Sequence, residues 1–599
     1  MSKSIRRLFR LAAALPLLLP GTAGADALPI LTDGYMTDWT VGPVHTDPSG
    51  DQGASGVDFQ NLWIANDDDW LFIRFETTAV IDLNEGPDMI LGIDSDQNGA
   101  TGVAVGSLGC ELVWQFDLRR GIFFITPPAI VVHFDDVRIR TAPTVTGSDF
   151  EVAINRHALP DGVNTLFNGN DIRIAIVDEA SGDRLPDGTG GVDYSFVSGV
   201  PFGPPNDLTK VNATDVRFMT WNMLFNNIAD PALDPQLDRV FSAIDPQIIN
   251  VQEVFESPAQ TRALIEGWLP SGVDENWFAF GTSDVVTVSR YPFVGLWTIG
   301  GNFAGLIDVS DDLGNDLLVI NTHLPCCDDD AGRQVEADAI MEFVRDAITP
   351  GGAVNVAANT GIVLTGDMNL VGSRQQLITL LTGDIVDEVT YGPDFAPDWD
   401  GTDLFDLASP QTEVRMPYTW KKQNPFAGAD MPGRLDMILF TDSVLGVGNR
   451  FNLFTPNMSA GELTALNLQA DDVTDISDHI PHVCDFTGST TGVGDAGQSA
   501  PPPALTAFPN PMRSRVAISI DVTESMSLDV SVFDARGRLV ARTGDAAAGL
   551  ISSGGRIDWQ GRDSSGRPAP SGAYFVRVRG TNGEGRVTLE QTVRVALLR

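Results

Sequence analysis

Six stretches of the chain end in side chains able to do chemistry: Trp221-Asn222, Gln252-Glu253, Asn321-Thr322-His323, Gly366-Asp367-Met368-Asn369, Arg434-Leu435-Asp436 and Ser477-Asp478-His479. Carboxylates and carboxamides offer the oxygen atoms a hard divalent cation prefers, and imidazoles carry protons near neutral pH. The run Gly361 to Asn369 is apolar and β-branched, as a buried strand is. It sets Asp367 beside Asn369 at the strand's carboxyl end, where ligands sit in layered α/β folds. Taken singly, each residue has a dull explanation. A strand-terminal Asp is usually a turn former, and a lone His is usually a satisfied core or surface group. Six such endings in one segment are hard to explain as solvated strand ends.

The elements that must position them follow from the local pattern. Val216 to Asn222 reads as a strand. Asp234 suits an N-cap and Pro235 the first helical position, with Leu237, Val240, Phe241 and Ile244 on one face. Gln247 to Val254 is a strand with Glu253 near its end, and Ser257-Pro258 opens a second helix. Thr282 to Ser289 is another strand. Leu317 to Leu324 carries His323, and the helix after it holds Arg333 with Ile340, Phe343, Val344 and Ala347 on its buried face. Ser373 begins a further helix. Gly433 to Phe440 and Ile476 to Phe486 complete the segment.

Over residues 214–487 these motifs, in this order, resemble the endonuclease/exonuclease/phosphatase superfamily, the DNase I-like fold. The resemblance implies a four-layer α/β/β/α sandwich. It also implies phosphodiester hydrolysis by metal-assisted in-line attack of water, with Mg²⁺ or Mn²⁺. Carried over motif by motif, Glu253 anchors the metal, Asp478 joins it through water, and Asn222 holds the metal shell or the phosphate. Asp367 orients and deprotonates the water, and Asn369 holds the nucleophile or phosphate. His479 donates to a phosphate oxygen with Asp436 fixing its tautomer, and His323 protonates the leaving group. Some members carry an Asp two residues after the first-strand Asn. Leu224 stands there, which argues against a second carboxylate at that end. The Asn-Thr-His-Leu form looks more like the DNase I and sphingomyelinase branches than the apurinic endonuclease branch. His482 reads as structural.

The flanks differ in kind. Residues 1–25 have a basic start, the apolar run Leu11 to Leu19 and Ala23-Gly24-Ala25, the pattern of a signal peptide cut after Ala25. No other segment looks transmembrane, so export to the outside or the surface of a bacterial cell is expected. Residues 26–205 alternate short apolar runs with turn clusters and suggest an antiparallel β-sandwich. The Asp33-Gly34, Asp38-Trp39 and Asp67-Asp68-Asp69-Trp70 motifs resemble family 9-like carbohydrate-binding, DOMON-like modules, which implies a glycan or cell-surface ligand. Asp94, Asp96 and Asn98 alternate before Gly99 as in the first half of a calcium loop, although the Glu that completes an EF-hand is missing from its place. Residues 488–503 read as a linker, and 504–599 resemble the FlgD-like immunoglobulin-fold tails of exported bacterial proteins.

The fold class expected is therefore multidomain: a central α/β sandwich flanked by an N-terminal β-sandwich and a small Ig-like one. The net charge of −42 repels polyanions at long range, so a nucleic-acid contact must be local or metal-mediated. Four cysteines are too few for a disulfide scaffold; Cys484 is a candidate partner for Cys326 or Cys327, with free buried thiols the alternative. The function expected is that of a secreted, monomeric, Mg²⁺-dependent extracellular nuclease acting on DNA or RNA. The alternatives are a sphingomyelinase-like or small-molecule phosphoesterase and a non-enzymatic surface-binding protein. No aromatic hairpin for membrane insertion is evident.

Overall fold

The computed structural model describes residues 26–27 and 30–488, apart from 54–55, 87, 201–207, 273–275 and 413. In the C-terminal part it describes 505–508, 516–520, 526–534, 538–542, 555–564, 567–570, 572–582 and 587–597. The expected signal peptide and residues 489–503 of the expected linker lie outside the described residues. Met1–Thr491 and Gly492–Arg599 form separate compact units.

The N-terminal part of the first unit is two sheets. One runs in the order Asp26–Ala27, Phe59–Asn66, Trp70–Ile81, Gly147–Asn155, Ile139–Ala142, with His45–Thr46 on Phe59–Asn66. The other runs Ile130–Val132, Arg120–Phe123, Leu112–Gln115, Met89–Asp94, Asp171–Asp178, Arg184–Leu185, with Val192–Ser195 on Asp171–Asp178. Pairing is antiparallel except between Asp26–Ala27 and Phe59–Asn66. The Asp-rich stretch after Asn66 makes the tight turn between two core strands, because Asp67 Oδ1 accepts from the backbone N–H of Asp69 and Trp70 at 2.8 and 2.6 Å. Phe59, Phe75, Trp114, Phe116 and Phe150 fill the space between the sheets.

This sandwich shares a core with the rest of the unit. Trp39, Trp63, Trp70 and Phe72 join Trp221, Met416, Tyr418 and Phe454 in one apolar cluster. Polar contacts reinforce the join: Thr144 Oγ1 donates to Leu370 O at 2.8 Å, Thr146 N to Gly372 O at 2.6 Å, and Tyr35 OH to Asp406 Oδ2 at 2.8 Å.

The following segment builds two six-stranded sheets. The first is ordered Phe278–Gly281, Val286–Ser289, Ile248–Gln252, Val216–Asn222, His482–Gly488, Leu445–Asn452. The second is ordered Phe293–Ile299, Asn302–Ile307, Leu317–His323, Gly361–Asp367, Asp436–Phe440, Phe405–Asp406. Side chains alternate faces along a strand, and here both faces are apolar. Val216, Phe218, Ile248 and Phe486 meet Leu317, Val319, Val363 and Ile438 between the sheets. Met219, Trp221, Ile249 and Val251 point the other way, onto Leu237, Val240, Phe241 and Ile244 of the helix Asp234–Ile244. Leu318, Ile320, Ile362 and Leu364 meet Ile340, Met341, Val344 and Ala347 of the helix Asp330–Ile348. Each such buried side chain contributes about 1.5–3 kcal/mol. Chains of this pattern cannot sit as one-faced strands, which explains the unbroken apolar runs of the sequence.

Several local details differ from expectation. The first helix begins one residue early, with Leu233 before Asp234, and Asp234 accepts from Trp268 Nε1 at 2.7 Å instead of capping. Ser257 caps the second helix with Gln260 as its capping-box partner. The helix after Ser373 spans Gln375–Thr382, and Phe343 is half-buried at the edge of its cluster. Cys326 and Cys327 are bonded to each other, so Cys484 is a free thiol, buried between the sheets beside Phe486.

The second unit holds a three-stranded sheet (Leu505–Phe508, Val516–Ile520, Gly555–Trp559) and a four-stranded one (Leu539–Arg542, Met526–Asp534, Gly572–Asn582, Val587–Leu597), all antiparallel. The Trp559 and Tyr574 rings lie 4.9 Å apart.

Between strands Val216–Asn222 and His482–Gly488, Arg217 and Asp485 form a buried two-pronged pair at 2.7 and 2.8 Å. Asp485→Ala strands the guanidinium away from water, and is expected to lower unfolding stability by about 3–5 kcal/mol. Urea denaturation followed by tryptophan fluorescence measures it.

Candidate active site

Backbone register brings the strand ends together before any side chain is considered. Leu317–His323 runs parallel to Gly361–Asp367, with His323 opposite Asp367. Asp436–Phe440 runs antiparallel on the other side, with Asp436 opposite Asp367. In the facing sheet, Asn222 lies opposite Gln252, one residue before Glu253. Gly366 is required for this approach: its φ is +130°, and a Cβ there would lie 1.9 Å from Thr322 O.

Asp367 is the meeting point. It is 1% exposed, and its Oδ1 accepts from Asn369 N at 3.0 Å. Its Oδ2 accepts from Asn222 Nδ2 at 2.9 Å and lies 3.7 Å from both His323 Nε2 and His479 Nε2. Each imidazole is backed by an acid: His323 Nδ1 meets Asp284 Oδ2 at 2.7 Å, and His479 Nδ1 meets Asp436 Oδ2 at 2.8 Å. Burial opposes charging the His323 ring, but the Asp284 hydrogen bond and the Asp367 charge outweigh it and raise its pKa to about 9. For His479 burial is again outweighed, here by the charges of Asp436 and Asp367, and its pKa rises to about 10. Both shifts favour the protonated ring.

Asn222 spans two carboxylates, because the same Nδ2 also donates to Glu253 Oε1 at 3.0 Å. Glu253 Oε2 accepts from Phe225 N at 2.7 Å. Leu224, Phe225, Asn226, Glu253 and Asn369 all have φ between +39° and +69°, so left-handed backbone gathers around this one spot. Phe225 and Phe255 are 75% and 61% exposed beside it. Asn369 is half-buried and gives one amide N–H to Leu324 O at 3.0 Å. Asp478 precedes His479 with its carboxylate turned to Trp420 Nε1 at 3.1 Å, away from Glu253 among the described contacts.

Two places suit a cation. Asp367, Asp436 and His479 offer ligand atoms within 4.8 Å of one another. There, however, Asp436 and His479 already satisfy each other, and a cation would have to break that pair. The Glu253 carboxylate is partly open to solvent, and a hard cation that keeps several waters needs no more than one or two carboxylates. The Glu253 oxygens now accept from Asn222 Nδ2 and Phe225 N, and a hard divalent cation would take the place of those donors. Asp436 Oδ1 and Asp478 Oδ1 are buried without a hydrogen-bond partner, and water or a cation can satisfy them.

Four supports were not singled out from sequence: Asp284, Ser477, Thr419 and Trp420. Ser477 Oγ donates to Asn222 O at 2.8 Å and accepts from His479 N at 3.0 Å. Thr419 Oγ1 accepts from Leu435 N and Asp436 N at 3.0 and 2.8 Å. Asp284 lies in the turn before Val286–Ser289, where an Asp passes for a turn former. His482 stands outside the constellation, bonded to Ser409 Oγ at 2.8 Å. Away from this site, the calcium-loop candidates Asp94 and Asp96 lie within 4.8 Å of Glu111, a carboxylate from the adjacent strand segment in place of the missing EF-hand Glu. Asn98 caps its own turn, accepting from Ala100 N at 3.2 Å.

Residues 219–479 match the family model described as Endonuclease/Exonuclease/phosphatase family, so this segment carries a domain of that family. Solved structures align to the same share of the chain. An endonuclease/exonuclease/phosphatase family protein from Leptotrichia buccalis is 13% identical over 45% of this chain and 99% of that one, at a TM-score of 0.30. Sphingomyelinase C from Streptomyces griseocarneus is 16% identical over 45% and 99%, at 0.28. The AP endonuclease LMAP from Leishmania major is 14% identical over 48% and 93%, at 0.30. No curated protein matches the chain.

Burial, with Arg434 next, pushes the His482 pKa down to about 3. Its neutral form therefore stabilises the fold above the ordinary histidine value of about 6.5, and that contribution is lost as pH falls toward 3. His323 has the opposite sign: its contribution is full below about 6.5 and is lost as pH climbs through 9. In EDTA, His482→Gln is expected to flatten the acid limb of the stability–pH curve and His323→Gln the alkaline limb, as read from urea midpoints.

Proposed function

We propose that the chain is an exported, metal-dependent phosphodiesterase whose preferred substrate is nucleic acid. The observation that carries this reading is the pair of Asp-backed imidazoles whose Nε2 atoms both stand 3.7 Å from one Asp367 oxygen, across from Glu253. A divalent cation on Glu253, assisted by Asn222 and through water by Asp478, would supply neutralisation of phosphate charge. The chain's own groups do the rest. Asp367 orients a water and takes its proton. His479, held protonated by Asp436, donates from Nε2 to a phosphate oxygen, and His323, held by Asp284, delivers its proton to the leaving oxygen. Asn222 and Asn369 position the phosphate by amide hydrogen bonds. The layer order helix–sheet–sheet–helix belongs to the same reading.

The exposed rings of Phe225 and Phe255 beside Glu253 support a substrate with a flat or apolar face. A nucleobase stacks on such a ring. The same rings favour a second reading, a sphingomyelinase-like action at a lipid surface, to which a net charge of −42 is less hostile than to a long polyanion. We further propose that residues 1–25 direct export, that the N-terminal sandwich carries a glycan or surface ligand and a Ca²⁺ at Asp94, Asp96 and Glu111, and that the FlgD-like tail serves sorting. The chain acts as a monomer in this account.

Plasmid DNA, RNA, sphingomyelin vesicles and bis-p-nitrophenyl phosphate, each assayed with Mg²⁺ and with EDTA, separate the substrates; Mg²⁺-dependent nicking of DNA or cutting of RNA is expected, and vesicle hydrolysis alone would favour the second reading. Asp367→Asn and His479→Gln are expected to lower kcat on the order of 10²–10⁴-fold. Glu253→Gln should raise the Mg²⁺ concentration for half-maximal rate at least about tenfold, by analogy with other ligand losses. An unchanged metal titration in that variant would remove Glu253 from the metal site.

A further inference from the structure

The N-terminal sandwich carries a second acidic constellation, unrelated to the catalytic strand ends and to the Asp94 loop. Asp47 and Asp51 lie in the loop after His45–Thr46 on one sheet, and Asp183 and Asp187 flank Arg184–Leu185 on the other. One carboxylate oxygen from each of the four lies within 4.8 Å of the others. The Asp47 side chain is 0% exposed, and neither of its oxygens has a hydrogen-bond partner. Gln52, next to Asp51, also holds a buried carboxamide oxygen without a partner. His45 is the one basic side chain within ion-pair distance among the described residues, with Nε2 3.7 Å from Asp47 Oδ1.

Such a cluster cannot stand as four bare charges. A buried carboxylate without partners costs several kcal/mol, and like charges at this spacing add to it. The backbone nevertheless holds the loops in place. Asp58 Oδ1 accepts from Gly50 N at 2.9 Å, Asp183 Oδ2 from Phe59 N at 2.8 Å, and Asp178 Oδ2 from Val57 N and Ser181 N at 2.9 and 3.0 Å. The ring of oxygens is therefore built by the fold and not by chance approach of surface side chains.

We propose that Asp47, Asp51, Asp183 and Asp187 bind a Ca²⁺ ion that staples the 47–52 loop of one sheet to the 183–187 loop of the other. The donor chemistry selects the ion. Four carboxylates with one buried carboxamide oxygen alongside form a hard, oxygen-rich set with the His45 imidazole at its edge, and the excess of carboxylate oxygens suits Ca²⁺ over thiophilic metals. Exposed Asp51 and Asp187 leave one side open for the waters that complete six to eight positions. Mg²⁺, which demands near-ideal octahedral geometry, is disfavoured by ligands drawn from two loops.

The test uses the full chain dialysed against EDTA and titrated with Ca²⁺, reading bound ions per chain by equilibrium dialysis and the melting temperature in parallel. Asp47→Asn is expected to bind one fewer ion than the wild type, to lose that part of the Ca²⁺-dependent rise in melting temperature, and to be at least as stable as the wild type in EDTA, because a buried charge is gone. Asp187→Asn, at an exposed position, is expected to weaken the same site at least tenfold. Asp96→Asn serves as the control for the other acidic loop and should leave this site intact. Unchanged stoichiometry and unchanged Ca²⁺ response in both Asp47→Asn and Asp187→Asn would overturn the proposal and mean that the cluster is kept neutral by protons.

Discussion

The central domain is arranged around a single oxygen atom. Asp367 Oδ2 faces one carboxamide and two imidazoles, each imidazole braced by its own aspartate, in a place where solvent barely reaches. A carboxylate so buried would cost several kcal/mol if left alone. An amide donor and two imidazoles surround it instead. The two Nε2 distances are longer than a hydrogen bond, so the rings approach Asp367 without being locked to it.

What holds this oxygen in place is mostly backbone. Three neighbouring strands set His323, Asp367 and Asp436 side by side by register, and the close passage at Gly366 admits no side chain. The N-terminal sandwich adds a further restraint. Thr144 and Thr146 bind the carbonyls of Leu370 and Gly372, in the loop leaving Asn369. The same edge meets Gly433, where a Cβ would sit 2.6 Å from the Thr144 methyl group. The sandwich thus props the loop that leaves the Gly361–Asp367 strand.

Much of this could be read from the chain. Apolar β-branched runs located the strands, and Asn222, His323 and Asp367 stand at strand carboxyl ends as expected, whereas Asp436 opens its strand and His479 precedes one. Supporting residues were harder. Asp284, Ser477 and Thr419 have types common in turns and caps, and only the packing of distant segments reveals that they orient His323, His479 and Asp436. Glu111 is likewise invisible as the companion of Asp94, since an EF-hand spacing looks for it in the same loop, whereas a neighbouring strand supplies it. The shared core of the sandwich and the central domain escaped notice for a similar reason. Trp70 opens an ordinary sandwich strand and Trp39 follows a short 3-10 turn, and nothing local says that they face a second domain.

All six polar segments must serve one cation and one phosphate for this reading to hold. An anomalous-scattering map from crystals of the full chain soaked with Mn²⁺ and a non-hydrolysable phosphodiester analogue tests this directly. A manganese peak in contact with the Glu253 carboxylate, with the analogue's phosphate between that ion and the imidazoles of His323 and His479, is the result predicted. Analogue bound elsewhere on the chain, or manganese that ignores Glu253 while occupying other sites, would contradict it.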